Sequence, residues 1–157
     1  ICDTRKTTPG LRQLDKYAVT CGGGTSHRMG LHDAALFKDN HLAMITHFEE
    51  ELRQAIVKTK ENSLDFVMVE VDTLEQLSQV IRLPIDIVLL DNMSTELLKE
   101  AVAIRDASQH SPLLEASGNV NLNTVQEIAE SGVDRISIGG LIHQATWLDV
   151  GLDAIDA

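Results

Sequence analysis

A chain of 157 residues with 43% hydrophobic content can bury one substantial core, so the sequence indicates a single domain. Its formal net charge of -11 argues against a nucleic acid partner, and no apolar run approaches the length of a membrane span. Cys2 and Cys21 lack the spacing of a metal site, and the first residues do not look like a signal peptide. We therefore expect reduced thiols in a cytoplasmic protein.

The start of the chain is basic although the protein is acidic. Residues 1–41 contain six Lys and Arg side chains against four acids, so they carry +2 while the remaining 116 residues carry -13. Three of these six cations, together with His27, fall in two segments, DTRKTTPG at 3–10 and GGGTSHR at 22–28. A local positive field of this kind favours a small, compact polyanion as the ligand.

From residue 34 onward, the hydrophobic pattern predicts strands that alternate with helices. A short apolar run at 34–38 is followed by helical spacing over 42–60, and a strand rich in β-branched residues is predicted at 66–71. Thr73 and Gln76 form a capping-box signature that begins the next helix. The inward positions of these two helices are predicted to be Ile45, Phe48, Leu52, Ala55 and Ile56, and then Leu74, Leu77 and Val80.

The same alternation continues to the last quarter of the chain. Strands are predicted at 87–90, 113–116 and 135–138, and Ser94 is placed to cap the helix that follows the first of them. Another helix is predicted over 123–131, with Gly132 as its stop. The inward positions of these helices are predicted to be Leu97, Leu98, Ala101 and Val102, and then Val125, Ile128 and Ala129.

Strands alternating with helices imply parallel pairing through right-handed crossovers, and therefore the α/β class. A closed eightfold barrel needs about 250 residues, so we predict an open or incomplete TIM-like barrel. Active sites of such barrels lie at the carboxyl ends of the strands. Polar or glycine residues close the predicted strands at Lys38, Glu70, Asp91, Glu115 with Ser117-Gly118, and Gly139-Gly140.

Several of these segments together resemble one enzyme family. In chain order, DTRKTTPG, GGGTSHRMGL, KDNH, LLDN, EASG and SIGG are closely similar to motifs of quinolinate phosphoribosyltransferase, also called nicotinate-nucleotide pyrophosphorylase (carboxylating). The resemblance covers the carboxy-terminal part of a family member. It implies that residues 1–157 are one barrel portion with most of the active site, lacking an amino-terminal α/β domain and the first barrel strands. We then expect Ile1–Asp3 to lack a neighbouring strand.

The resemblance also implies a reaction and its two substrates. The family transfers the phosphoribosyl group of phosphoribosyl pyrophosphate (PRPP) to quinolinate, releasing pyrophosphate and carbon dioxide and giving nicotinate mononucleotide for NAD synthesis. Its members are homodimers in which the amino-terminal domain of one subunit covers the barrel of the other. The two adjacent carboxylates of quinolinate suit planar guanidinium forks. The family's quinolinate-binding positions match Arg5, Lys6, His27, Arg28 and Lys38.

The PRPP half of the site is implied in the same way. Three residues match the family's catalytic positions: Lys38, Glu70 and Asp91. Lys38 would lie between the two substrates. The two acids would accept ribose hydroxyl protons and hold Mg²⁺, directly or through water. Glycine-rich loops after late barrel strands suit a phosphate. The PRPP positions are Lys38, Glu70, Asp91, Ser117, Gly118, Asn119, Ser137, Ile138, Gly139 and Gly140.

Two other functions remain open from the sequence. One is a related phosphoribosyltransferase or sugar-phosphate barrel enzyme with another acceptor, and the other is a noncatalytic binding or assembly fragment. The pair Arg5 and Arg28 favours a dicarboxylate acceptor over the first alternative. Ser26 stands where many members of the family carry Asn, and this departure removes no expected ligand contact.

Overall fold

The computed structural model of the chain contains one parallel five-stranded sheet whose strands pair in chain order. It describes residues 1–38, 41, 44, 48–61 and 64–152. The strands are β1 (Ala34–Phe37), β2 (Phe66–Val71), β3 (Ile87–Asp91), β4 (Leu113–Ser117) and β5 (Arg135–Ile136). The helices are α1 (Arg12–Cys21), α2 (Phe48–Lys60), α3 (Leu74–Val80), α4 (Thr95–Asp106), α5 (Val125–Glu130) and α6 (Gly140–His143).

This arrangement confirms the predicted α/β class with an open, TIM-like parallel barrel. Within the described residues the five strands form a sheet that does not close on itself. No helix in that part of the chain is long and apolar enough to cross a membrane.

Helices α2 to α5 cover one face of the sheet with an aliphatic core. Alternate residues of a strand point to opposite faces, so every second residue of β2, β3 and β4 faces the helices. The buried side chains of this core include Leu52 and Ile56 from α2, Leu77 and Val80 from α3, Leu98 and Ala101 from α4, and Val69, Leu90 and Leu114 from the strands. Burial of this apolar surface is the main stabilising contribution to the fold.

The other face of the sheet carries a smaller apolar cluster and then polar side chains toward the carboxyl ends. Met68, Ile87 and Leu89 are buried there against Leu36 and Phe66. The parallel register places further residues of this face side by side, with Glu70 opposite Leu89, Leu89 opposite Glu115, Glu115 opposite Arg135, and Asp91 opposite Ser117. The register therefore gathers charged groups from four consecutive strands on one face.

The beginning of the chain extends this sheet beyond β5. Cys2 makes isolated parallel bridges to Ser137 and to Thr25, and its backbone N–H donates to Ile136 O at 2.8 Å. The prediction that Ile1–Asp3 would lack a neighbour is therefore wrong, because this extended segment pairs with backbone groups that β5 would otherwise leave unpaired. Burial raises the pKa of the Cys2 thiol.

The helix signals are largely confirmed. The capping box of Thr73 and Gln76 is present, and Ser94 accepts a hydrogen bond from the backbone N–H of Leu97 at 3.4 Å. The helix predicted over 42–60 is observed at Phe48–Lys60, and its expected start at residues 42 and 43, together with Ile45, lies outside the described residues.

Several local predictions are corrected. The helix predicted over 123–131 is shorter, Val125–Glu130, because residues 121–124 form their own hydrogen-bonded turn in place of its first turn. β5 ends at Ile136 because residue 137 bridges to the start of the chain. Leu97 and Ala129, predicted to face inward, are exposed, since each lies on the edge of a helix beyond the reach of the core. Conversely, β3 and β4 each extend one residue further than predicted, to Asp91 and Ser117, because these two residues pair with each other.

Candidate active site

A cavity of about 720 Å³ opens at the carboxyl ends of the strands. It lies where the active sites of parallel barrels are built. Every site residue predicted from the sequence lines it: Arg5, Lys6, His27, Arg28, Lys38, Glu70, Asp91, Ser117, Gly118, Asn119, Ser137, Ile138, Gly139 and Gly140. The structure therefore brings together residues that are more than 130 positions apart in the chain. Their individual roles stay predictions.

Two guanidinium groups lie close together on one side of this cavity. Arg28 is only 8% exposed, and its Nη1 donates to the carbonyl oxygen of Ala34 at 3.0 Å. Burial lowers the pKa of Arg28, and the nearby charge of Arg5 lowers it further. Arg5 Nε is itself buried and has no acceptor among the residues that the structure describes. A buried donor without an acceptor next to a second cation is arranged for an anionic ligand.

The turn that carries Arg28 is fixed by a carboxylate. Asp33 accepts hydrogen bonds from the backbone N–H groups of Met29 and Gly30. Burial would raise the pKa of Asp33, but these backbone donors lower it more, so its pKa lies below the ordinary value. Asp33 is therefore held as a carboxylate that shapes the turn leading into β1.

Both ring nitrogens of His27 face groups of the protein. Nδ1 accepts a hydrogen bond from the backbone N–H of Arg28 at 2.7 Å, so the proton of the neutral ring is on Nε2. Nε2 lies 3.1 Å from Glu115 Oε1. A hydrogen bond from His27 to a ligand would have to replace one of these contacts.

Glu115 lies below the cavity as a fully buried carboxylate. Its two oxygens face His27 Nε2 and Arg135 Nε, the second at 2.9 Å. Neither contact has the alignment of a hydrogen bond, so the oxygens keep unused acceptor capacity. Burial would raise the pKa of Glu115, but His27 and Arg135 outweigh it, so the pKa lies below its ordinary value. Glu115 fixes the His27 ring from beneath.

Lys38 and Glu70 form an ion pair at the mouth of the cavity. Lys38 Nζ lies 2.7 Å from Glu70 Oε2 and 3.0 Å from Oε1. The lysine side chain is 46% exposed and the glutamate side chain 14%. An exposed pair contributes little to stability, so Lys38 can leave it for a more highly charged anion at small cost.

Asp91 is held by the end of β4 and by the loop that follows β3. Its Oδ1 accepts a hydrogen bond from Ser117 Oγ at 2.6 Å, and its Oδ2 accepts one from Asn92 Nδ2 at 2.8 Å. Asn119 Nδ2 donates to Asn92 Oδ1 at 3.0 Å, which joins the two loops. Gly118 has φ +94°, and a Cβ there would lie 2.1 Å from Asn92 Oδ1. Only glycine therefore permits this approach of the two loops.

The comparisons with known proteins decide the family. Residues 1–153 match the family model described as quinolinate phosphoribosyl transferase, C-terminal domain. The chain belongs to this family. The nicotinate-nucleotide pyrophosphorylase [carboxylating] of Mycobacterium leprae is 44% identical over 153 residues, which cover 98% of this chain and 53% of that protein. A probable nicotinate-nucleotide pyrophosphorylase [carboxylating] of Bacillus subtilis is 38% identical over 153 residues, or 98% and 51% of the two chains.

Solved structures of similar proteins have the same fold. The crystal structure of NadC from Streptococcus pyogenes has a TM-score of 0.84 and 37% identity, covering 99% of this chain and 54% of the other. The nicotinate-nucleotide pyrophosphorylase of Francisella tularensis has a TM-score of 0.79 and 45% identity, covering 89% and 48%. The chain thus spans about half the length of the curated relatives it matches.

In this quinolinate phosphoribosyl transferase domain, sequence reasoning missed several residues that line the cavity. Thr4 and Asn92 stand inside the motifs DTRK and LLDN, so those motifs held the signal. The others had no local signal, because they reach the cavity through strand register or through loop and helix geometry: Leu36, Leu89, Val120, Asn121, His143 and Gln144.

Proposed function

We propose that the protein containing this chain transfers the phosphoribosyl group of PRPP to quinolinate and decarboxylates the product. One observation carries this proposal: the Arg5 and Arg28 pair opens into the same cavity as Lys38, Glu70 and Asp91. The names of the relatives, nicotinate-nucleotide pyrophosphorylase [carboxylating], support the same reaction. The products would be nicotinate mononucleotide, pyrophosphate and carbon dioxide, in NAD biosynthesis.

The acceptor would bind at the guanidinium side. Arg28 is anchored through one nitrogen to the Ala34 carbonyl, which leaves its remaining donors for a planar carboxylate. Arg5 supplies a buried Nε–H that has no acceptor in the described part of the chain. A dianion with two adjacent carboxylates would satisfy both groups and relieve their mutual repulsion. Lys6 and His27 complete this side of the cavity.

The donor would bind at the acidic side. As the C1–O bond of PRPP breaks, positive charge develops on the anomeric carbon and negative charge on the leaving pyrophosphate. The carboxylates of Glu70 and Asp91 would accept hydrogen bonds from the ribose hydroxyls and stabilise the positive charge at the anomeric carbon. Lys38 would attract anionic oxygens of both substrates. The backbone N–H groups of Gly118, Asn119, Gly139 and Gly140 would hold the 5′-phosphate, because those of Ser137 and Ile138 already donate to the carbonyl oxygens of Ala116 and Cys2.

Magnesium fits this cavity as an ion brought with the pyrophosphate. Within the described part of the chain, no group of three or more His, Cys, Asp or Glu residues is arranged to hold a metal. Mg²⁺ commonly binds through one or two carboxylates together with substrate phosphates, and Glu70 and Asp91 offer two. When bound, the ion would neutralise the leaving pyrophosphate.

Transfer itself prepares the decarboxylation. When the ring nitrogen bonds to C1 and pyrophosphate leaves, the ring becomes cationic. The bond from the adjacent ring carbon to its carboxylate then breaks, carbon dioxide leaves, and the electron pair that remains beside the positive charge takes up a proton. The protein's part in this step is to position the ring and shield it from water.

We further propose that the working enzyme is a homodimer whose site is completed by an amino-terminal domain of the partner. The half-length match to the relatives supports a larger protein. A second candidate, transfer to a different acceptor, is separable by its products.

The test is to supply the complete gene product with carboxyl-labelled quinolinate, PRPP and Mg²⁺. We expect labelled carbon dioxide and nicotinate mononucleotide in equal amounts. An Arg53→Lys variant is the matched control, because among the described residues the ion pair of Arg53 is a surface contact with Glu49. Product from nicotinate without carbon dioxide would overturn the assignment in favour of another acceptor. No turnover with either acceptor would favour a noncatalytic role.

A further inference from the structure

Helix α1 contacts both basic loops through side chains that the reaction itself does not use. Arg12 Nε donates to Thr7 Oγ1 at 3.1 Å, Nη1 to the carbonyl oxygen of Met29 at 3.1 Å, and Nη2 to the carbonyl oxygen of Arg5 at 3.4 Å. One guanidinium therefore joins the loop that carries Arg5 to the loop that carries Arg28. The fork of five donors makes this possible, whereas an ammonium could not span all three acceptors.

Lys16 joins the same loops one turn further along α1. It is 3% exposed, and its Nζ lies 2.6 Å from Asp3 Oδ1 and donates to the carbonyl oxygen of His27 at 2.9 Å. Asp3 Oδ1 also accepts the backbone N–H of His27 at 2.7 Å. This buried triangle fixes the start of both loops, while Arg12 fixes the parts nearer the cavity.

A third α1 side chain acts on the first loop alone. Asp15 Oδ2 accepts the backbone N–H of Thr8 at 2.7 Å. The loop of residues 4–8 is thus held by α1 at Arg5, Thr7 and Thr8. Among the described residues, the other side-chain hydrogen bond to the backbone of this loop is local, from the Lys6 N–H to Thr4 Oγ1. The position of Arg5 therefore depends on α1.

Charge repulsion explains why the two loops need this restraint by α1. Arg5 and Arg28 repel each other, and Arg28 is nearly buried, so without restraint the loops would move apart and the cations would turn to solvent. A ligand with two carboxylates at fixed separation binds well only when the two guanidinium groups are already at the matching separation.

We propose that Arg12 and Lys16 of α1 are positioning residues that set the separation of Arg5 and Arg28 and thereby the preference for a vicinal dicarboxylate acceptor. This inference rests on the proposed function. It adds residues that do not line the cavity, and it predicts selective damage to one substrate.

The experiment compares Arg12→Lys with wild type and with the control Arg53→Lys in the complete gene product. KM and kcat are measured for quinolinate at saturating PRPP, and for PRPP at saturating quinolinate. Loss of the guanidinium contacts should raise KM for quinolinate by about tenfold, because hydrogen bonds from charged groups are lost at the loop. KM for PRPP, and every constant of the control, should change little.

A second variant guards against a folding defect. Asp3→Asn with Lys16→Met removes the buried pair without leaving one charge unpaired. Amide hydrogen exchange is then followed in segments 3–8 and 25–30, and exchange should be faster there and unchanged in β2 and β3. A merely structural role would lower the melting temperature and affect both substrates alike.

The outcomes separate the two proposals. If wild type turns over quinolinate but Arg12→Lys changes both KM values equally, or neither, the positioning role is overturned. If wild type does not use quinolinate with PRPP, the proposed function fails. Faster exchange in the two segments of the variants would then still support the claim that Arg12 and Lys16 hold the two loops in position. Unchanged exchange would overturn that claim.

Discussion

Replacing Arg28 by Lys should damage the use of quinolinate much more than the use of PRPP. The substitution keeps a positive charge in the cavity but removes the planar fork. In the structure, one nitrogen of this fork is committed to the Ala34 carbonyl at 3.0 Å, so the rest of the group is held in one orientation. A lysine has a single donor centre and cannot hold Ala34 and a bidentate carboxylate together.

The magnitude follows from the burial of the group. Arg28 is 8% exposed, so its hydrogen bond to a carboxylate would be largely shielded from water. Water would therefore compensate little of the binding energy that the substitution removes. A net cost of about 2 kcal/mol corresponds to about a 30-fold fall in kcat/KM for quinolinate. Only a small change is expected for PRPP, because the acidic side of the cavity is built from Glu70 of β2 and Asp91 of β3.

The assay measures kcat and KM for each substrate with the other saturating, on the complete gene product. Asp91→Asn is the opposite probe, since it should impair Mg²⁺-PRPP use while leaving quinolinate binding nearly intact. Asn keeps the shape of Asp91, but its amide nitrogen would face the Ser117 hydroxyl or the Asn92 amide and the negative charge would be gone. Equal effects of both variants on both substrates would refute the division of the cavity into two halves.

Three further outcomes are expected. Because the pKa of Glu115 is lowered in the folded protein, its stabilising contribution is full above the ordinary value of 4.5 and is lost as pH falls through the folded value. Glu115→Gln should lower the free energy of unfolding by about 3 kcal/mol at neutral pH and make the melting temperature depend less on pH in the acid range. An unchanged fall of the melting temperature with decreasing pH would contradict this. Gly118→Ala should raise KM for PRPP and lower the melting temperature, whereas Gly151→Ala, with nothing within 4 Å of the added carbon, should do neither. The 157-residue chain expressed alone should be nearly inactive and self-associating, and full turnover from a monomer in sedimentation would show that no partner domain is needed.

The sequence alone determined the architecture, because that information is local. Neighbouring residues set the period of two in the strands and the period near 3.6 in the helices. They also include the helix caps at Thr73 and Ser94. Through their resemblance to the family, the motifs also named many of the residues that line the cavity, although others, such as Leu36 and Gln144, were missed. Boundaries were less certain where a competing partner was distant, as for Ser137, which leaves β5 to bridge with Cys2.

Only the tertiary structure decided which of these polar groups are available to a ligand and which are engaged by the protein. His27 is a candidate ligand residue by sequence, yet both ring nitrogens face Arg28 and Glu115. Arg12 and Lys16 carry no motif that distinguishes them from surface cations, and they are revealed as the link between two loops only by distances across the fold. Pattern and propensity act over a few residues, whereas burial, ion pairing and the unsatisfied Nε of Arg5 depend on contacts that exist only after the chain has folded.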